Sequence, residues 1–304
     1  MSTKLIVVGF VVLGVFLQAG FCQDNKTSTP MDYCQSVLCP IHKRHIACNN
    51  KGTLSKQCPS NAKVVNLSAL HDLILNEHNA YRNLLASGKI KHLPQPERMA
   101  TLQWHDELEY LATLNVKQCA LQYDPCHNTL EFRASGQNLA LINITQLAET
   151  DDNHTDASLL KLTNHTDHQS LLDLTNHTDE NLIKLVIATW WDESANVTGE
   201  DVRRFPKGKL EDSAGHFAVM ARENNTFVGC AALRFDKSPG QPHFLLACNY
   251  ASDYICDWPL YKEKSFGCKS GLDLKYPFLC KAGEQYQQPG AAVEETTAKN
   301  SFWI

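Results

Sequence analysis

The chain has 304 residues, with 28 Lys plus Arg set against 33 Asp plus Glu and a formal net charge of −5 at pH 7. That balance gives no electrostatic case for binding nucleic acid or an anionic membrane surface. Its twelve cysteines point instead to disulfides, provided the chain is exported.

Export is how the first residues read. Lys4 precedes an apolar run from Leu5 to Phe21, and Cys22-Gln23-Asp24 follows. A basic start, an apolar middle and a small-residue exit make residues 1–22 a secretory signal peptide. The run sits at the lower edge of a spanning length and lacks a following basic stop; no other stretch approaches that length. The mature chain is therefore expected to be extracellular, with no membrane span. About 280 residues remain, enough for one large domain with appendages. Loss of Cys22 leaves eleven of the twelve cysteines. An odd number leaves one thiol unpaired or engaged with another chain.

Residues 23–62 form an extension holding Cys34, Cys39, Cys48 and Cys58. It has too few apolar residues to fold alone and is expected to be stapled to a main domain. His42 and His45 raise a zinc knuckle, which export and the lack of a C-x-x-C pair disfavour. Asn66 to Ser87 is the strongest helical pattern, with Leu70, Leu73, Ile74, Tyr81, Leu84 and Leu85 at helical spacing and Gly88 closing it. His78, inside the segment NEHNAYR (76–82), reads as a half-buried structural histidine. After a Pro-interrupted link at 95–99 comes LQWHDEL (102–108); Trp104 reads as core, and Leu108, Leu111, Ala112 and Val116 give a second helix its apolar face. Cys119, Cys126 and His127 follow, then GQNLA at 136–140.

Residues 143–182 carry a threefold repeat. Asn153-His154-Thr155-Asp156, Asn164-His165-Thr166-Asp167 and Asn176-His177-Thr178-Asp179 recur at spacings of eleven and twelve. Each is an acceptor for asparagine-linked glycan, as are Asn25, Asn66, Asn143, Asn196 and Asn224. The simplest reading is a duplicated, glycosylated surface insert. Metal binding by His154, His165 and His177 is disfavoured, because they share no fixed helical face. Residues 182–194 read as a helix, with Trp190 and Trp191 bracketing its apolar face.

The run 213–252 reads as three strands: Gly215–Arg222, Phe227–Phe235 and His243–Tyr250. Asn224-Asn225 and Ser238-Pro239-Gly240 supply the breaks. Cys230 and Cys248 lie equally far from Pro239, so a hairpin folded there sets their sulfurs opposite each other. In the short extension 256–284, a Cys268–Cys280 staple is expected. Cys256 is then the leftover thiol, either a buried bystander or the bond of a disulfide dimer. Residues 285–304 are polar, read as disordered, and end in Phe302-Trp303-Ile304.

Several of these segments together carry a resemblance. Gly215-His216-Phe217, Val228-Gly229-Cys230 and Leu246-Ala247-Cys248-Asn249-Tyr250-Ala251 resemble the signature segments of the CAP superfamily of cysteine-rich secretory, antigen 5 and pathogenesis-related proteins. NEHNAYR resembles its H-N-x-x-R helix motif, LQWHDEL its L-x-W-x-x-x-L, Trp191-Asp192-Glu193 part of its W-x-x-E, and GQNLA its GENLA. The spacing YC…LC…HIAC…C resembles the amino-terminal region of antigen 5 proteins. The resemblance implies an α+β fold, an α/β/α sandwich with helices on both faces of a small antiparallel sheet. It also implies the pairings Cys34–Cys48, Cys39–Cys126 and Cys58–Cys119, with a domain over 63–255.

It implies a cleft as well: His127, Gln137, Glu193 and His216. Two neutral imidazoles, His127 and His216, with a nearby carboxylate can hold Zn with an open position, and a carboxylate beside metal-bound water can act as a base. Gln137 stands where the family carries a carboxylate and cannot ionise, so acid–base capacity is cut. No G-x-S-x-G, HExxH, P-loop or G-x-G-x-x-G is present. The expectation is a secreted, glycosylated, non-enzymatic binding protein that requires no cofactor, taking a sterol, a fatty acid or a protein receptor. A metal-dependent hydrolase and a channel- or receptor-directed effector are the alternatives.

Overall fold

A computed structural model describes residues 31–151, 177–263 and 267–286. The signal segment, Asn25, most of the repeat insert with Asn153, Asn164 and Asn176, and the tail from 287 lie outside the described residues. Twelve elements follow in order: β1 (Lys63–Val65), α1 (His71–Ala86), β2 (Gln103–Trp104), α2 (Asp106–Val116), β3 (Gly136–Asn143), α3 (Ile144–Asp151), α4 (Asp179–Asp192), a 3-10 turn (Glu193–Asn196), α5 (Gly199–Arg203), α6 (Lys209–Met220), β4 (Phe227–Asp236) and β5 (Pro242–Tyr250).

The sheet runs β1-β4-β5-β3, with β2 added parallel to β4. The other pairings are antiparallel. Strand periodicity splits its side chains cleanly. Val228, Cys230, Ala232, Phe244, Leu246, Cys248 and Tyr250 face a core shared with α1, α4 and α6. Ala231, Leu233, Phe235, Leu245 and Ala247 face Ala112 and Val116 of α2. The result is the three-layer sandwich the resemblance implies. Gly229 lets the second layer close. A Cβ there would come within 2.2 Å of the Glu109 nitrogen and 2.6 Å of the His105 carbonyl oxygen, at the start of α2.

One expected strand is a helix. Gly215–Arg222 lies largely in α6, not in the sheet. The apolar run is short enough to fit either period, and burial shows which one applies. Ala214, Phe217, Ala218 and Ala221 are all fully buried, at the i, i+3, i+4, i+7 spacing of a helix face. The start is set by Gly208 at φ +106°, whose N–H donates to Glu211 Oε2 at 2.7 Å. The other two strands form a hairpin in which Cys230 opposes Cys248, with the sulfurs bonded.

The four remaining disulfides are Cys34–Cys48, Cys39–Cys126, Cys58–Cys119 and Cys268–Cys280. Two of them tie the extension to the segment after α2. Cys256 is unbonded. Its thiol donates to Glu211 Oε1 at 3.1 Å, and burial together with that carboxylate pushes its pKa up to about 11, so it is a poor nucleophile. At the carboxyl end, Tyr286 is placed, its hydroxyl donating to the Arg98 carbonyl at 3.3 Å.

The polar motif of α1 lies deep in the core. The Arg82 side chain is fully buried and donates five hydrogen bonds to the carbonyls of Ala100, Met220, Arg222 and Asn225. Asn79 exchanges two bonds with the Leu102 backbone. His78 is fully buried rather than half-buried. Its Nδ1–H donates to the Ile74 carbonyl, and its Nε2 accepts from the Tyr250 hydroxyl, both at 2.8 Å. Burial lowers its pKa to about 4, so the ring stays neutral. His78 is structural, as the sequence suggests, and with Asn79 and Arg82 it ties α1 to its surroundings.

Candidate functional site

The cleft is built where α4 ends against α6. Glu193 opens the 3-10 turn that follows α4, and His216 sits on α6. The Glu193 carboxylate accepts His216 Nδ1–H on Oε1 at 2.6 Å and the N–H groups of His216 and Phe217 on Oε2 at 2.9 and 3.1 Å. Trp190 stacks on the imidazole with ring centroids 5.7 Å apart. The other ring nitrogen, Nε2, accepts from the Tyr123 hydroxyl at 3.0 Å. Tyr123 is about half exposed. Desolvation, then Glu193 and Asp253, push its pKa up to about 12.

Gln137 lies at the start of β3 but is turned to a different task. Its Oε1 accepts the Asp124 N–H at 2.9 Å, and its Nε2 donates to Asp124 Oδ2 and Asn249 Oδ1 at 2.7 and 2.8 Å. Asp124 also accepts from Asn115 and Gln118. Burial raises the pKa of Asp124, while those donors pull the other way. The amide thus pins the Tyr123–Asp124 loop to the sheet and, through it, holds the phenol over His216.

A sequence model described as the cysteine-rich secretory protein family, CAP, matches residues 75–250. This chain belongs to the CAP family. It is 31% identical over 236 residues to the antigen 5 like allergen Cul n 1 of Culicoides nubeculosus, covering 75% of this chain and 90% of the relative. It is 29% identical over 287 residues to venom allergen-1 of Aedes aegypti, covering 92% and 95%. Among solved structures, NaASP2 with Zn2+ superposes with a TM-score of 0.50 at 18% identity, over 73% of this chain and 99% of that one. That likeness speaks for the CAP fold.

The ligand set the CAP resemblance implies is only partly assembled. Glu193 and His216 touch. His127 makes no hydrogen bond to Glu193, His216 or Gln137; it is buried, and burial lowers its pKa to about 4, with His45 of the extension a further influence. His216 has a hydrogen-bond partner on each ring nitrogen. Among the described residues, no cluster of three or more His, Cys, Asp or Glu side chains is placed to hold a metal ion. Both ring nitrogens of His127 are buried without a hydrogen-bond partner among the described residues. Sequence reasoning missed Tyr123 and Asp124. Their only signal was position, between Cys119 and Cys126, in the loop those disulfides fix.

Proposed function

We propose that this CAP protein is a secreted, glycosylated extracellular binding protein without hydrolytic activity. The observation that carries this reading is the closed circuit Glu193–His216–Tyr123. In a nucleophilic triad, too, a carboxylate orients an imidazole that accepts from a hydroxyl, so what sets this cleft apart is its third member, a phenol in place of an aliphatic hydroxyl or a thiol. Here the carboxylate is spent on three N–H donors, the imidazole on an acid and a phenol. The phenol is a weaker acid than usual, so its hydroxyl stays protonated and is no nucleophile at neutral pH.

Five disulfides suit an extracellular setting, and no helix among the described residues is long and apolar enough to cross a membrane. The allergen relatives from biting insects support release in a secretion. Asn66 and Asn196 are exposed, as glycan acceptors must be. A macromolecular partner fits better than a sterol or fatty acid held between α1 and α4. The inward faces of those helices are used on each other and on the sheet: Leu182, Ile183, Val186 and Ile187 are buried core, and Tyr81 stacks on Trp191 at 5.2 Å.

The test is a peptidase and esterase panel on the secreted protein, run beside Glu193→Gln and with and without chelator. Background turnover in every arm is expected. Turnover that exceeds background and disappears in Glu193→Gln overturns the reading.

A further inference from the structure

The net charge of −5 hides a sharp segregation. Residues 33–63 hold Lys43, Arg44, Lys51, Lys56 and Lys63, and no Asp or Glu. Three disulfides fix this segment, each with at least one cysteine inside it. Its basic side chains are exposed, and among the described residues no carboxylate bridges Lys43, Lys51 or Lys56. Arg44 and Lys51 edge an open groove of about 480 Å³, whose walls also include Asn49, Asn50, Thr53 and Ile46. Arg44 spends one Nη on the Cys48 carbonyl at 2.9 Å, which orients the guanidinium. Lys117 reaches the Gly52 carbonyl at 2.6 Å and adds its charge beside the groove.

The molecule's other basic run behaves differently. Arg203, Arg204, Lys207 and Lys209 are flanked by Glu200 and Asp201 on one side and Glu211 and Asp212 on the other. Arg203 is bridged to Glu263 at 2.8 Å and Arg204 to Asp257 at 2.9 Å. Arg203 and Arg204 are thus paired with carboxylates, whereas Lys43, Lys51 and Lys56 stand exposed on a segment with no carboxylate of its own.

We propose that the groove of the extension binds a sulfated polysaccharide. An open surface groove edged by Arg44 and Lys51, with the exposed Lys43 and Lys56 on the same segment, suits a flexible polymer that carries repeated anions, because each ammonium or guanidinium can meet a sulfate in turn. An anionic bilayer would need apolar groups to insert; Val37, Ile41 and Leu54 of the extension are exposed but none of them lines the groove, so vesicle binding is kept as an arm of the test. The site depends on the extracellular reading above but not on the cleft, so its test is independent of the hydrolase assay.

The experiment measures binding of the full secreted chain to an immobilised heparin oligosaccharide of defined length. Binding is expected, weakened more than about tenfold between ~50 and ~200 mM salt as counterions are displaced. Lys43→Glu with Lys51→Glu, which leaves the Arg44–Cys48 bond in place, is expected to lower affinity at least about tenfold, since a close like charge repels where an opposite one attracted. Lys207→Glu with Lys209→Glu is expected to change it less than about twofold. Desulfated heparin tests the wild type without any substitution and is expected not to bind. Equal binding by the extension variant, retention on desulfated heparin, or preference for phosphatidylserine vesicles over heparin each overturns the proposal.

Discussion

Two polar regions of this molecule each contain a histidine and end up with opposite characters. The α1 knot of His78, Asn79 and Arg82 is sealed inside the core, and the donors of Arg82 go to backbone carbonyls. The cleft of Glu193, His216 and Tyr123 stands at the surface, with the His216 side chain 27% exposed. They are joined: Asn138 donates to the His216 carbonyl at 3.1 Å and to the Tyr250 hydroxyl at 3.4 Å, and Tyr250 donates to His78. The shared histidine did not decide the character of either region. Depth and partner type did. Buried groups bonded to main chain fix topology, whereas side chains bonded to side chains near water can be rearranged.

The largest effect should come from the knot. Arg82→Ala removes the side-chain donor from four carbonyls in the core; that of Arg222 keeps the Asn225 N–H at 3.3 Å, and each one left unpaired costs about 1–3 kcal/mol. The expected loss is about 4 kcal/mol or more, read as a collapse of the urea midpoint or of secreted yield. His216→Ala is expected to cost about 1–2 kcal/mol. If the two losses are equal, depth is not what separates the regions.

A pH series sharpens the contrast next. His78 has a folded pKa of about 4 against 6.5 when unfolded. The folded state therefore binds fewer protons between those values, and this histidine's share of stability is full above pH 6.5 and declines as pH falls through 4. Asp253, pushed up to about 7 by burial, has the opposite sign: it binds extra protons when folded and costs stability as pH rises from 3.8 through 7. A His78→Gln variant isolates the first term. Its deficit relative to wild type, followed by urea titration, should shrink as pH falls from 6.5 to 4. A constant deficit would mean the ring is not held neutral by its surroundings.

The hairpin, the first two helices and the sulfur pairings could be read from sequence, because strand alternation, helical spacing and cysteine position are local or shared with a family. The chemistry of α6 was visible and its conformation was not. His216-Phe217-Ala218-Val219-Met220 fits a strand as well as a helix until Ala214 and Ala221 are known to be buried on the same side as Phe217. In the cleft, Glu193 and His216 were found through motif resemblance. Tyr123 was not, since it lies 93 residues from its partner and sits in a loop whose path follows from Gln137 and Asp124. The basic face of the extension was concealed by summing charge over the chain; a sum over residues 33–63 reveals it.

The smallest expected effect is also the most direct probe of the cleft. Tyr123→Phe keeps the ring and removes only the hydroxyl that caps His216 Nε2. The phenol is half exposed, so water can replace much of what is lost, and stability should fall by no more than about 1 kcal/mol. Reactivity should change more. With Nδ1 held by Glu193, Nε2 becomes the one open nitrogen, and carbethoxylation of His216 by diethyl pyrocarbonate, followed by peptide mass spectrometry, should run several-fold faster than in wild type. Glu193→Gln should give a different pattern, because it loosens the ring without uncovering Nε2. If Tyr123→Phe leaves the modification rate of His216 unchanged, the phenol does not guard the imidazole, and the Glu193–His216–Tyr123 circuit that carries the non-hydrolytic reading fails with it.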